Sequence, residues 1–413
     1  MTKTSARDAV LIDGVRSPRG RGKANGSLHD VHPQELLAQV LVALVDRVGI
    51  DAAEVEDVIA GNGIQEGEHG SDIARLAVLT AGLPTSVPGT TLNRFCGSGQ
   101  QAVTFAASSI AAGQQDVVVG SGVESMSRWP AEGVVTIDGG NANLRTRYPI
   151  VPQGISADLI ATLEGFTRAD VDAYALQSQE RCAKAVSEGR FDGSVVPIRH
   201  LDRSPALDRD EFPRPSTTIE GLAKLTPSFL EMGTAVLPGF DRSFDDMCRE
   251  VYPQVAAVDH VHHAGNSSGV VDGASAILLT SREYADAHGL RQRARIVMTA
   301  VAGSEPVVML TAPGPAAELC LRKAGMSIAD IDLWEINEAF AAVPLKTIRD
   351  LDLDPQRVNV NGGAIALGHP IGATGPMLIQ TALDELERTD RSTALIAMCT
   401  GGGMGTATII ERV

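Results

Sequence analysis

Aromatic side chains are scarce in this chain, at 4% of 413 residues. A core with few large rings must rest on aliphatic side chains and on backbones that approach closely, and 42 glycines suit the second need. Basic residues are also short: 35 Lys and Arg stand against 51 Asp and Glu, a net charge of −16. That argues against a nucleic-acid binder, although a local basic patch could still meet a small anionic substrate. No apolar run reaches the roughly 18 to 20 residues that a membrane span requires. Residues 1–7 are polar and lack the apolar segment of a secretion signal, so a cytoplasmic protein is expected. The five cysteines, Cys96, Cys182, Cys248, Cys320 and Cys399, are odd in number, widely spaced and without a Cys-x-x-Cys pair. A disulfide framework and a structural zinc site are therefore not expected.

What is present is an alternation of short apolar runs with helical periodicity. Strands are expected at 9–12, 57–60, 116–120, 295–301, 331–336 and 394–399. Helices are expected on the face marked by Leu37, Val40, Leu41, Leu44 and Val48, and over 73–81, 316–324 and 378–386. This alternation predicts a mainly parallel sheet with helices on its faces. The segments 49–59 and 325–335 resemble each other. Each is followed by a strand end opening into a Gly-rich turn, Leu92-Asn93-Arg94-Phe95-Cys96-Gly97 and Val358-Asn359-Val360-Asn361-Gly362-Gly363. A duplicated α/β unit would explain this, as would chance similarity of common helix–turn–strand patterns. Between the halves, roughly 124–263 is rich in Pro, Arg, Asp and Gly, with one strongly helical stretch at 169–186, and reads as a long excursion over a site.

Several residues could carry chemistry. Cys96 lies between a strand and the helical face Val103, Ala106, Ala107, Ile110, where free N–H groups and the helix dipole would favour a thiolate and could hold an oxyanion. The alternative is a buried structural cysteine. His369, on a loop with Gly368, Gly372 and Gly375, could act as a base toward a thiol. Cys399 ends a strand before Thr400-Gly401-Gly402-Gly403, where ligands of such sheets bind. Asn337 follows the strand ending at Ile336 and could equally be a helix N-cap. His260-Val261-His262-His263 hints at a metal, but no cysteine or carboxylate cluster accompanies it in sequence, so no metal is expected.

Taken together, the blocks resemble the thiolase family. Asn93-Arg94-Phe95-Cys96-Gly97-Ser98-Gly99 is similar to its nucleophile motif, and Gly122-Val123-Glu124-Ser125-Met126-Ser127 to its next signature. Asn337-Glu338-Ala339-Phe340, Gly368-His369-Pro370 and Cys399-Thr400-Gly401-Gly402-Gly403 resemble the rest, in order along nearly the whole chain. The resemblance implies two similar five-stranded mixed-sheet α/β halves stacked as αβαβα, with an inserted loop domain. It places the first half at 1–121 and 264–281, the insert at 122–263 and the second half at 282–413. It also implies a homodimer or tetramer acting on acyl-CoA and CoA, with no cofactor beyond the CoA substrate.

By the same resemblance Cys96 accepts the acyl group, His369 activates it and Cys399 moves the proton at the α-carbon. Asn337, through a water and with His369, would form one oxyanion hole, and the N–H groups of Cys96 and Gly401 a second. Arg214 matches an arginine near the CoA adenine, Ser268 a serine near the pantetheine arm and Met309 an acyl-pocket methionine.

Two departures from the family pattern bear on subtype. Biosynthetic thiolases usually show His-Met where this chain has Pro152-Gln153. The segment 224–268 is also longer than theirs, with Phe229, Met232, Leu237, Phe240, Phe244, Met247 and Tyr252 free to pack on an acyl tail, on a hydratase/dehydrogenase partner of a fatty-acid oxidation complex, or on their own domain. A degradative 3-ketoacyl-CoA thiolase is expected. The alternatives are a biosynthetic acetoacetyl-CoA thiolase and an idle scaffold subunit.

Overall fold

The computed structural model describes residues 5–129, 137–236 and 239–413. Its strands are β1 (Ala9–Arg16), β2 (Gly20–Arg21), β3 (Asp57–Gly61), β4 (Gly89–Leu92), β5 (Val117–Ser125), β6 (Ile198–Arg199), β7 (Pro205–Leu207), β8 (Val271–Ser281), β9 (Ala294–Gly303), β10 (Leu333–Ile336), β11 (Thr393–Thr400) and β12 (Met404–Arg412). All but β6 and β7 form one 10-stranded sheet, ordered β10-β11-β12-β9-β1-β8-β5-β3-β4 with β2 on β8. Counted within each half, both run third, second, fourth, fifth, first. The third strand of the second half is reduced to one bridge between Trp334 and Val358. The turns that follow also match, with bridges Arg94–Cys96 and Val360–Gly362 at equal offset. The duplication is therefore real.

The sheet is mixed, not mainly parallel. Among the described strands, parallel pairing joins β3 with β4 and β5, and β10 with β11 and the bridge at Val358. Antiparallel pairs fill the middle because each half ends in a strand that folds back, β8 on β5 and β12 on β11. β1 and β9 meet at only two pairs, so the two halves join at a corner. Two helices, Ser98–Ala111 and Thr374–Arg388, fill the space between them. Val103, Ala106 and Ile110 of the first share one core with Ile379, Leu383 and Leu386 of the second and with residues of both sheets. The outer face of the first half is covered by the helix Pro33–Val48, started by a proline and closed by left-handed Gly49 (φ 74°), which buries Leu36, Leu37, Val40, Leu41 and Leu44.

β8 was not marked by any alternation, because all 11 residues are buried. Ile277 and Leu279 face the inner helices while Ala274, Ala276 and Leu278 face the outer ones. β5 likewise runs through Gly120 to Ser125, past the expected break at 121–122. The region between β5 and β8 holds more helix than the one expected stretch, now Arg168–Ser187. Gln153–Glu164 escaped detection because it is buried continuously from Gly154 to Ala161 and so has no amphipathic face. No helix among the described residues is long and apolar enough to cross a membrane.

Candidate active site

β4 ends at Leu92, and the chain turns sharply into the helix Ser98–Ala111. Phe95 is forced into the left-handed region at φ 48°, a conformation that costs a non-glycine residue about 1 to 2 kcal/mol. Local bonds hold it there. Asn93 Oδ1 accepts from Phe95 N at 2.7 Å, and Asn93 Nδ2 donates to Gly63 O at 2.8 Å. Ser98 Oγ accepts from Arg94 N at 2.8 Å and donates to Phe95 O at 2.6 Å. The turn sets Cys96 at the mouth of the helix, with 3% of its surface exposed. Burial pushes its thiol up to about 11, and the nearby Glu124 carboxylate adds to this. A hydrogen bond from the Gln153 side chain and the N–H groups of Cys96 and Gly401 pull the other way without prevailing. The helix position therefore does not by itself yield a low thiol pKa. Desolvation of the sulfur outweighs it.

Cys399 stands near the end of β11, fully buried, and both burial and the neighbouring Cys96 raise its thiol. The turn Gly401–Gly403 then returns the chain into β12. Gly401 packs on the Phe95 ring, and a side chain at Gly97 would meet Thr400 and Thr406. The two cysteine-bearing turns, one from each half, are thus in direct contact.

His369 lies on a loop pressed into the first half. A Cβ at Gly99 or Gly122 would drive into the carbonyl oxygen of Gly372, so this approach requires glycine. His369 N donates to Gly269 O at 2.9 Å. Its Nδ1 lies 2.6 Å from Thr374 Oγ1, which in turn lies 2.9 Å from Pro370 O. With the Thr374 proton committed to Pro370 O, the ring proton sits on Nδ1 and Nε2 is unprotonated. Burial, and then the Arg19 guanidinium, depress this imidazole to about 3, so it is neutral at physiological pH. Asn337 Nδ2 is 3.3 Å from Nε2. Asn337 caps no helix, since the next one starts at Ala342, and its buried Oδ1 has no protein partner. An orphaned polar atom of this kind suits a water or ligand.

Adjacent Glu338 organises the surroundings. Its carboxylate accepts from Tyr174 OH at 3.1 Å, Ser178 Oγ at 2.7 Å, Asn359 Nδ2 at 3.1 Å and Ile365 N at 3.1 Å. Glu124 does similar work from the first half, accepting from Gly63 N at 2.7 Å and Gly372 N at 2.9 Å, while burial lifts it to about 7. Its position in the second signature block was its only mark in sequence.

The expected ligand contacts are spread over a path. Ser268 N donates to Ala339 O at 2.9 Å, beside Asn337. Met309 is completely buried at φ 54° in the same core as Cys399 and Phe340. Arg214 is exposed, stacks on Phe212 at 5.0 Å and lines an outer cavity of about 200 Å³ with Gln179, Thr218, Gly265 and Ile365. It does not reach the cysteines.

The long segment 224–268 packs on the region between β5 and β8 and on the second half. Phe244 and Met247 are buried there, with Phe240 and Tyr252 against them, and Phe229 meets Phe340 edge to face at 5.9 Å. Leu237 lies outside the described residues. The histidine run gained the carboxylates that sequence could not show. His260 bridges Asp158 (2.8 Å) and Asp245 (3.1 Å), His262 bonds Asp158 (2.7 Å) and His263 bonds Asp172 (2.8 Å). No group of three or more His, Cys, Asp or Glu arranged to hold a metal ion occurs among the described residues.

Comparison with known proteins agrees with this geometry. The family model "Thiolase, N-terminal domain" matches residues 9–239 and "Thiolase, C-terminal domain" matches 290–412. The chain is 39% identical to a beta-ketoadipyl-CoA thiolase of Pseudomonas aeruginosa, covering 99% of this chain and 100% of that protein. It is 37% identical to a 3-ketoacyl-CoA thiolase of Bacillus subtilis, covering 98% and 99%. The crystal structure of the Bacillus anthracis acetyl-CoA acetyltransferase superposes with a TM-score of 0.82 at 36% identity, covering 98% of this chain and 99% of that one. The chain belongs to the thiolase family, and its chemistry is acyl transfer on CoA thioesters through a cysteine acyl-enzyme, without metal or organic cofactor.

Proposed function

We propose that this chain is a degradative thiolase, cleaving a 3-ketoacyl-CoA with CoA to acetyl-CoA and an acyl-CoA two carbons shorter. The observation that supports it best is the meeting of Cys96, Cys399 and the Gly401 N–H in one buried spot, from both halves of the chain. His369 takes the Cys96 proton on Nε2, and the thiolate attacks the 3-keto carbon. The bond between C2 and C3 breaks. Cys399 protonates the acetyl-CoA enolate at its α-carbon, leaving an acyl group on Cys96. CoA then attacks that thioester. Its proton replaces the one Cys399 gave up, and His369 returns its own to the freed Cys96. The protonated His369 and a water on Asn337 hold one developing oxyanion, and the N–H groups of Cys96 and Gly401 hold the other. Arg214 and Ser268 lie along the path for the CoA nucleotide and pantetheine, and Met309 bounds the acyl pocket.

The degradative direction is supported by Pro152-Gln153 and by relatives named for 3-keto acyl thioesters. The acetyl-CoA acetyltransferase neighbour favours a second reading, biosynthetic condensation of two acetyl-CoA. The test is CoA-dependent cleavage of a 3-ketoacyl-CoA chain-length series. Cleavage of medium and long chains, with parallel initial-rate lines for the two substrates and total loss in Cys96→Ala, is expected. Activity confined to C4 would favour the biosynthetic reading, and an active Cys96→Ala would overturn the nucleophile.

A further inference from the structure

Gln153 opens the helix Gln153–Glu164 in the region between β5 and β8, far in sequence from both cysteines. Its Nε2 stands 3.5 Å from where a Cβ on Gly401 would lie, in the turn after Cys399 that packs on Phe95 beside Cys96, and its side chain holds the Cys96 thiol lower than burial alone would. The helix behind it is fixed. Ser156 Oγ donates to Val307 O at 2.7 Å, and Gly154 lies flush on the Phe229 ring. Asp158 accepts from Val261 N at 3.1 Å and His262 N at 3.0 Å. Within five residues of Gln153 the backbone is thus clamped on two sides, which pre-organises an amide otherwise free to rotate.

We infer that Gln153 is a catalytic residue: its side-chain amide donates a hydrogen bond to the Cys96 sulfur and stabilises the thiolate, both when Cys96 attacks and when it leaves the acyl group. The inference rests on Cys96 being the nucleophile. The chemistry asks for such a donor. The two backbone N–H groups at this spot serve an oxyanion during the tetrahedral step, and a buried thiolate with no further donor is costly. A glutamine is neutral, so it can support the anion without adding a titratable charge beside His369.

The experiment measures the rate of Cys96 alkylation by iodoacetamide from pH 6 to 9, located by peptide mass, in the wild type, Gln153→Met and Gln153→Glu. Methionine keeps the volume and removes the donor; glutamate keeps the shape and adds a negative charge. Gln153→Met should displace the rising limb of the rate-against-pH profile upward by about one pH unit, read as roughly tenfold slower alkylation at pH 8, the lower end of what a hydrogen bond to a charged acceptor is worth. Gln153→Glu should move it further. Profiles of both variants that superpose on the wild type would overturn the inference, whatever happens to turnover. A shifted profile in an enzyme whose wild type cleaves no 3-ketoacyl-CoA would leave the inference standing and sink the proposed function instead. Circular dichroism and unchanged melting of both variants show that the fold is kept.

Discussion

Replacing Glu338 by glutamine tests whether a buried carboxylate holds the site together. All four of its partners are donors in the present geometry: Tyr174 OH and Asn359 Nδ2 on one oxygen, Ser178 Oγ and Ile365 N on the other. An amide can replace only one of those oxygens without loss; its NH2 must face a pair of donors. The cheaper orientation turns the NH2 toward Tyr174, whose hydroxyl can rotate to accept, and toward Asn359, whose Nδ2 also donates to Ile336 O at 2.8 Å. Even so, two hydrogen bonds to a charged acceptor are lost and two donors are crowded. At about 1.5 to 3 kcal/mol for each such bond, less what rotation recovers, the cost is about 2 to 4 kcal/mol. Glu338→Ala takes this acceptor from all four donors, of which Asn359 Nδ2 keeps Ile336 O, and should cost more. Thermal melting reads the first effect as a loss of several degrees. Turnover reads the displacement of the site, because Asn337 precedes Glu338 and Ile365 lies in the short helix Ala364–Leu367 that leads to His369. Burial raises the pKa of Glu338 against these donors. If the group were protonated at neutral pH, glutamine would be close to isosteric with it. A Gln variant that melts and turns over like the wild type would therefore refute the ionised network.

Cys399→Ala should lower thiolysis about 10²- to 10⁴-fold, the usual worth of a positioned proton donor, while Cys96 stays open to alkylation; equal loss of both would mean a collapsed site. The loop region should also lose stability in alkali. Burial alone would lower His260, but its bonds to Asp158 and Asp245 lift it to about 9, above its free value of 6.5. Its stabilisation, on the order of 3 kcal/mol at 1.36 kcal/mol per unit, is full below pH 6.5 and lost as pH rises through 9. Melting temperature followed from pH 6 to 10 should fall over that window in the wild type and stay flatter in His260→Gln. An identical pH dependence in both would show that another group sets the alkaline limit.

The helix Pro33–Val48 was plain in sequence because one face is apolar and its ends carry proline and glycine. β8 and the helix Gln153–Glu164 were not, because burial on every side erases the alternation that sequence patterns depend on. The mixed character of the sheet, which the family resemblance implied, was hidden from the local pattern for a related reason: periodicity gives a strand but not the direction of its neighbour. Cys96, Asn337, His369 and Cys399 could be picked out because each sits at a strand end or in a glycine-rich turn, features written in adjacent residues.

What the sequence determined by itself was local: which segments become strands and helices, where the turns must lie, and which side chains the turns expose. Tertiary structure decided what those side chains meet. It brought Asp158, Asp172 and Asp245 to the histidine run, giving each of its three histidines a hydrogen-bonded carboxylate. It buried Cys96 so deeply that desolvation, rather than the helix end, sets its thiol pKa. It also carried Gln153 across the fold to that sulfur. Charge, burial and proximity depend on groups hundreds of residues apart, and only the packed chain fixes them.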